Sequence, residues 1–296
     1  MTRSSAKLSE KLSPKSFLDT SVVHKSQLGA SQIQEYLRTN ITQKWYINNY
    51  VQMEFYRRSL VQWIYLYFES KDSKYKTFGD AWKVYAEGFG REAKTAVAAL
   101  TTMEADGLSF SSEQDKHFCR EKLQDFIYAM ALQFSLTFIN TGNDPTYCTR
   151  LRHALKIPDE AGEREAQLLK FAATFRNEID CRSRCSISNL FTTVSHRAKI
   201  DAVAGATASG STSKKLQKIQ DAISTAGKAP EAITCKLCSK MGDALTAVSL
   251  DTKWKLHSLD SVHSPICEAL KIDFQIHPSD SALAKMQASE TDSAGS

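Results

Sequence analysis

The sequence lacks the features that mark membrane proteins, secreted proteins and proteins with a glycine-rich phosphate loop. No apolar run among its 296 residues approaches the roughly 20 that a membrane-spanning helix needs. The basic, serine-rich N-terminus has no apolar core of a secretory signal. Seven cysteines, an odd number, argue against a fully paired disulfide framework. No Ser-His-Asp arrangement is apparent either. These absences predict a cytoplasmic protein without a membrane partner.

The composition is that of an ordinary globular protein with a basic excess. Hydrophobic residues make up 42% and charged residues 24%, and the net charge is +5. Basic residues cluster in the first 25 positions and in "CTRLRHALK" (148–156). Such clusters favour a polyanionic partner such as nucleic acid, although a solvated basic surface is the simpler alternative.

The hydrophobic pattern predicts strand–helix units at both ends of the chain, separated by a helical block. "SFLDTSVV" (16–23) has the apolar, β-branched composition of a buried strand. A short helix over 29–40 follows, with Ser31 as its N-cap. The remaining predicted helices are 47–70, 77–105, 112–140, 159–180, 235–249 and 264–270, and the remaining strands are 254–259 and 273–277.

This order of elements predicts one discontinuous domain carrying a large insertion. An α/β domain over 16–70 and 232–280, with a central parallel sheet, is interrupted by a helical insertion over 71–200. The glycine- and serine-rich interval 201–215 predicts a flexible loop. Residues 1–15 are predicted to form a flexible basic arm and 281–296 a disordered tail.

Four acidic residues stand where the predicted elements meet. Asp19 lies in the first strand, Asp260 ends a late strand, Asp243 lies in the helix before that strand, and Glu54 lies in the long aromatic helix. Functional groups of a parallel sheet gather at the carboxyl ends of its strands. Four neighbouring carboxylates cannot all ionise without cations, and Mg²⁺ or Mn²⁺ prefer such oxygen ligands. The pattern therefore predicts a divalent-cation site.

The same residues occur in motifs that resemble those of PIN-domain nucleases. "FLDTSVV", Glu54 in "YVQMEFYRR", "GDALTAV" and "LHSLD" look like the successive motifs of that family, and "SPICEALKIDFQIHP" resembles its closing helix and strand. Ser258 stands where the family has threonine, and Leu259 where it commonly has Asn or Asp. The resemblance covers roughly residues 16–70 and 232–280 and leaves substrate recognition by the insertion open.

The resemblance implies a PIN-like three-layer fold and metal-dependent hydrolysis of phosphodiester bonds, usually in RNA. It implies an endoribonuclease in a toxin or defence setting, with an inhibitor or antitoxin protein as partner and a homodimeric assembly. Ser21 and Ser258 would bond to ligand carboxylates or to the scissile phosphate. The implied catalytic and metal-binding acids are Asp19, Glu54, Asp243 and Asp260. A structure-selective DNA nuclease and a non-catalytic nucleic-acid- or protein-binding module are the alternatives.

Simpler interpretations exist for most of these acids. Glu54 is spaced to pair with Arg58 at i,i+4 on a solvated helix face. Asp19 is also typical of a strand-end turn, and Asp260 of a helix N-cap. His263, three residues after Asp260, is close enough in sequence to approach the site. A single histidine is more typical of a surface or capping position, so it is not included among the predicted ligands.

Four cysteines form a second candidate metal site. "CRSRC" places Cys181 and Cys185 one helical turn apart, and "CKLC" gives Cys235 and Cys238 the spacing of many zinc sites. Together they predict a structural Zn²⁺ site, with reduced thiols in apolar surroundings as the alternative. Cys119, Cys148 and Cys267 are predicted as core residues. The aromatic residues between 45 and 67 are predicted to form core, with base stacking as the alternative.

Overall fold

We describe the fold from a computed structural model of the chain, which describes residues 14–100, 109–141, 155, 161–176, 186–208 and 213–286. Residues 1–13 of the predicted basic arm and 287–296 of the predicted tail lie outside these ranges. So do Cys148, Cys181, Cys185 and most of the basic stretch 148–156.

Five parallel strands form a single sheet in the order β3-β2-β1-β4-β5. Leu18 pairs with His257 in the register between β1 and β4, so both strands end at the same edge. Adjacent residues of these two strands, which point to opposite faces, are buried, so both faces are covered. The predicted α/β class with a central parallel sheet is confirmed. The strands are β1 (Lys15–Leu18), β2 (Trp45–Ile47), β3 (Phe138–Asn140), β4 (Trp254–Ser258) and β5 (Asp273–Ile276).

Most of the described residues are helical. A π-helical turn, Tyr56–Leu60, joins α3 to α4, and a helix over 280–286 follows the last strand. The α-helices are α1 (Thr20–Leu28), α2 (Ser31–Asn40), α3 (Asn49–Phe55), α4 (Val61–Glu69), α5 (Phe78–Gly88), α6 (Gly90–Ala98), α7 (Lys116–Thr137), α8 (Ala161–Arg176), α9 (Asn189–Thr192), α10 (Val194–Ala208), α11 (Lys214–Lys228), α12 (Cys235–Lys240), α13 (Gly242–Val248) and α14 (His263–Leu270).

The first predicted strand is shorter than its apolar run. The strand ends at Leu18, and α1 begins at Thr20 because Asp19 caps it by accepting from the Ser21 amide. Val22 and Val23 continue the apolar run but are buried in the helix instead. Burial here outweighs the preference of β-branched residues for strands. The N-cap of α2 is Ala30 and not the predicted Ser31, which is the first helical residue.

Two strands occur where the sequence predicts none. Trp45 and Tyr46 belong to β2 and not to an aromatic helical stripe. The segment Phe138–Asn140 ends the predicted helix 112–140 early and pairs with β2 as β3. Because β3 lies within 71–200, that interval contributes an edge strand to the sheet and is not a purely helical insertion. Both strands have only three residues, too few to show a strand period.

The predicted helix 47–70 is present almost throughout its length, apart from the π-helical turn at its middle. Such turns are common at functional sites. Tyr50 and Trp63 on this helix are fully buried, and the Trp63 indole donates to the Ala96 carbonyl at 2.8 Å. These two rings pack in the core, as predicted, and are not surfaces for base stacking. Cys119 and Cys267 are also buried, as predicted.

The structure differs from the predicted flexible loop at 201–215. Residues 201–208 are the second half of α10, and α11 begins at Lys214. Small residues gave this stretch the composition of a linker, but Ile200 and Val203 anchor α10 in the core. The start of the predicted disordered tail is also helical in the structure. Residues 281–286 form a helix, and Leu283 is buried.

Candidate metal centre

The site lies between β1 and β4, at the switch point where the order of chain connections in the sheet reverses. From β1 the chain continues to β2 and β3 on one side, whereas β4 and β5 lie on the other. The crevice outside the carboxyl ends of strands at such a point is where open parallel sheets bind ligands. Asp19 follows β1 directly, and its amide donates to the His257 carbonyl of β4 at 3.0 Å. Two segments far apart in sequence therefore meet at this crevice.

Hydroxyl groups from both segments hold the Asp19 carboxylate. Its Oδ2 atom accepts from the Ser21 hydroxyl at 2.7 Å and from the Ser258 hydroxyl at 3.1 Å. Ser258 also accepts from the Asp260 amide at 3.0 Å, and Ser21 from the Leu259 amide at 3.1 Å. The two serines thus fix Asp19 against the loop after β4. Of the two kinds of partner expected for these serines, a carboxylate or the scissile phosphate, the structure shows bonds to the Asp19 carboxylate.

Asp243 and His263 reach the same place from the first turns of α13 and α14. The Nε2 atom of His263 lies 3.4 Å from Asp19 Oδ1 and 3.5 Å from Asp243 Oδ1. His263 has no solvent-exposed surface, whereas Asp243 is partly exposed. The carboxylates therefore converge on one imidazole nitrogen at the base of the crevice.

These three residues are suited to bind a metal ion. One ligand atom from each of Asp19, Asp243 and His263 lies within 4.8 Å of the other two. Neither ring nitrogen of His263 has a hydrogen-bond partner within the described part of the chain. A buried nitrogen facing two carboxylates, at distances longer than a normal hydrogen bond, fits the donor set of a divalent ion. Imidazole suits Zn²⁺, Fe²⁺, Ni²⁺ and Cu²⁺, whereas carboxylate oxygens suit Mg²⁺ and Mn²⁺, so this mixed donor set suits ions of both kinds.

Without a metal, the site is an ion-paired cluster. Burial lowers the pKa of His263, but the charges of Asp19 and Asp243 outweigh burial and raise it to about 10. Burial raises the pKa of Asp19, but His263 and the bonds from Ser21 hold it well below its usual range. The pKa of Asp243 is lowered in the same way, chiefly by His263 against burial. An imidazolium therefore lies beside both carboxylates at neutral pH and offsets one of their two negative charges.

Glu54 lies beside this cluster but does not belong to the group of three. Its Oε2 atom accepts from the Thr20 hydroxyl at 2.6 Å, and its Oε1 atom pairs with Arg58. The i,i+4 pairing with Arg58 is therefore present, although Glu54 is buried and not on a solvated face. Burial raises the pKa of Glu54, against the opposing charge of Arg58. Both carboxylate oxygens of Glu54 therefore have partners. Glu54 lies beside the cluster and contacts α1, the helix that Asp19 caps.

Asp260 also lies outside the group of three. Its Oδ1 atom accepts from the Val262 amide at 3.0 Å, in the turn that precedes α14. Its Oδ2 atom pairs with Lys215, whose ammonium also lies 2.7 Å from Asp243 Oδ2. Asp260 is therefore joined to Asp243 through a lysine. It is a turn residue as well as a member of the acidic site.

A cleft of about 950 Å³ opens next to the cluster. Ser21, Lys215 and Asp260 line it, so the cleft reaches groups that contact Asp19 and Asp243. Arg91 also lines the cleft and makes no ion pair with any residue that the structure describes. The other charged residues of the lining are Lys25, Arg58, Glu92 and Asp280. The cleft thus presents basic side chains beside an acidic site.

His263 and Lys215 are two functional candidates that the predicted site did not include. The signal for His263 is weak, because its place in the site depends on how α14 begins after the Asp260 turn. Lys215 lies at the end of the interval that reads as a linker, where a lysine suggests only solubility. The role of each residue depends on where its helix packs: α11 packs against α10 and α12, and α14 packs against α10 and α13.

The predicted zinc site falls partly outside the described residues. Cys181 and Cys185 lie outside the described residues. Cys235 is the first residue of α12, and Cys238 lies one turn later in the same helix. Cys238 is buried and Cys235 partly exposed, and neither forms a disulfide with a described residue. Among the described residues, the grouping able to hold a metal is the one formed by Asp19, Asp243 and His263.

The fold and site define an α/β protein with a five-stranded parallel sheet and a buried carboxylate–histidine cluster at its switch point. No family model, no curated protein and no solved structure matches the chain. Within the described residues, no helix is both long and apolar enough to cross a membrane.

Proposed function

We propose that this protein is a divalent-metal-dependent nuclease that hydrolyses phosphodiester bonds, with RNA as its substrate. The observation that carries the proposal is the buried grouping of Asp19, Asp243 and His263 beside a cleft with basic side chains. The resemblance of the motifs around Asp19, Asp243 and Asp260 to PIN-domain nucleases supports the reaction type. The preference for RNA rests on that resemblance.

Phosphodiester hydrolysis needs a nucleophilic water, neutralisation of charge on the phosphoryl oxygens and stabilisation of the leaving oxygen. Asp19, Asp243 and His263 would hold the ion, which supplies a more acidic bound water and Lewis acidity at the phosphate. The chain contributes the orientation of Asp19 through Ser21 and Ser258. Arg91 in the cleft is placed to pair with substrate phosphates, since guanidinium binds them strongly.

The test compares cleavage of labelled single-stranded RNA and DNA in Mn²⁺ by wild type and by Asp243→Asn. Asp273→Asn is the matched control. Asp273 is an exposed aspartate at the amino end of β5, whereas the site lies at the carboxyl ends of the strands. We expect wild type and Asp273→Asn to cleave RNA, and Asp243→Asn or EDTA to abolish cleavage. Equal cleavage by all three proteins would contradict the proposed site.

Two further outcomes separate the alternatives. Preferential cleavage of DNA, with the same dependence on Asp243, would identify a DNA nuclease instead. Binding of nucleic acid without cleavage in Mn²⁺, Mg²⁺ or Co²⁺ would identify a non-catalytic module.

A further inference from the structure

The carboxylate of Asp243 faces a different cation with each of its oxygens. Its Oδ1 atom faces His263 in the group of three, at 3.5 Å. Its Oδ2 atom faces the Lys215 ammonium at 2.7 Å. Lys215 also pairs with Asp260, which is not part of that group. There are therefore two adjacent cation positions, and a lysine of the chain itself fills the second.

The position of Lys215 is set by the helix that carries it. Helix α11 begins at Lys214, and its apolar face is buried through Leu216, Ile219 and Ile223. Packing of this face in the core directs Lys215, one position before Leu216, towards the acidic crevice. The neighbouring Lys218 is exposed. The Lys215 side chain is also 48% exposed, but it lines the cleft, so its ammonium can meet both the carboxylates and a substrate.

Charge balance explains why a cation belongs there. Asp19, Asp243 and Asp260 bring three negative charges to one edge of the sheet, and a single imidazolium or divalent ion does not neutralise them with substrate phosphate also present. In two-metal nucleases a second ion, about 3.5–4 Å from the first, stabilises the leaving oxygen. A fixed ammonium supplies the same sign of charge without an ion.

We propose, on the basis of the proposed function, that Lys215 is a built-in second cation. The site then binds one divalent ion at Asp19, Asp243 and His263, while Lys215 stays between Asp243 and Asp260 and pairs with a phosphate oxygen in the cleft. The metal requirement is therefore for one ion per chain. Removing the lysine opens a second site between the two aspartates.

The number of bound Mn²⁺ ions tests this directly. Isothermal titration of the full chain with Mn²⁺, checked by electron paramagnetic resonance of free Mn²⁺, gives the stoichiometry without relying on activity. We expect one ion for wild type, two for Lys215→Met and one again for Lys215→Met combined with Asp260→Asn. Lys215→Arg keeps the positive charge and should bind one ion, as should the control Lys218→Met. Circular dichroism confirms that each variant is folded.

The outcomes separate this inference from the proposed function. One ion in both wild type and Lys215→Met would overturn the role of Lys215 and leave the metal site intact. Two ions in wild type would show that metal displaces the lysine, which also overturns it. No binding by wild type would overturn the metal site and the inference together.

Discussion

The Nε2 atom of His263 lies 3.4 Å from the Oδ1 atom of Asp19, at a position without solvent exposure. His263 is thus the buried partner of the first acid after β1, and the Oδ1 atom of Asp243 lies 3.5 Å from the same nitrogen. In the metal-free protein this contact is an ion pair. In the metal-bound protein, the same nitrogen would be a ligand.

His263→Gln should weaken Mn²⁺ binding strongly. Loss of an outer-shell partner typically reduces metal affinity by about 10- to 100-fold, and loss of a direct ligand should cost at least as much. Isothermal titration with Mn²⁺ measures the change. His117→Gln, at an exposed histidine on α7, is the control and should bind as wild type does. Unchanged affinity in His263→Gln would exclude the histidine from the ligand set.

Gly242→Ala should destabilise the protein and disturb the site. A Cβ atom at position 242 would lie 2.3 Å from the Tyr50 hydroxyl oxygen, and Tyr50 is buried. Such overpacking costs about 1–3 kcal/mol, and the required shift moves Asp243, the next residue. Urea unfolding and Mn²⁺ titration measure the two effects.

Gly205→Ala is the matched control for this substitution. Gly205 lies in α10 with nothing within 4 Å of the added Cβ, so alanine should raise the free energy of unfolding by up to about 1 kcal/mol. Equal stability of the two alanine variants would contradict a steric role for Gly242.

Stability should fall as the pH drops from about 6.5 towards 4, because of a buried histidine pair. His257 Nδ1 and His277 Nε2 lie 2.9 Å apart. Burial and the neighbouring positive charges lower the pKa of His257 to about 3 and that of His277 to about 4, from 6.5. The unfolded chain therefore takes up protons in this range that the folded protein excludes, and stability is lost with acidification.

Urea midpoints at pH 7 and pH 5 measure this effect. His277→Gln removes one of the two excluded protons, so its midpoint should change less between the two pH values than that of wild type. The exposed substitution His117→Gln should keep the wild-type dependence. An unaltered pH dependence in His277→Gln would show that the pair does not govern acid stability.

Arg91→Ala should weaken the binding of single-stranded RNA and reduce its salt dependence. Arg91 lines the cleft and lies on α6, within the interval predicted as the insertion. Each phosphate contact contributes about 0.7 to the slope of log K against log salt for single strands. Fluorescence anisotropy of labelled RNA in EDTA measures binding without cleavage. Arg38→Ala, at an exposed position on α2, should leave the slope unchanged, and an unchanged slope in Arg91→Ala would place the RNA elsewhere.

Local patterns predicted much of the fold. Apolar periodicity located the long helix 47–70 and the strands at 254–258 and 273–276 to within a few residues. It did not separate β1 from α1, because the same apolar run is buried in both. The three-residue strands β2 and β3 carry no period of their own and exist because a neighbouring strand supplies their hydrogen bonds.

The sequence by itself determined that acids would stand at the carboxyl ends of strands, since Asp19 follows β1 directly and Asp260 lies two residues beyond β4. Only the tertiary structure decided which of them converge. Asp243 meets Asp19 at His263, whereas Glu54 is turned to Thr20 and Arg58, and Asp260 to Lys215. Those partners depend on how helix ends dock at the switch point of the sheet, and a contact between residues distant in sequence leaves no local pattern.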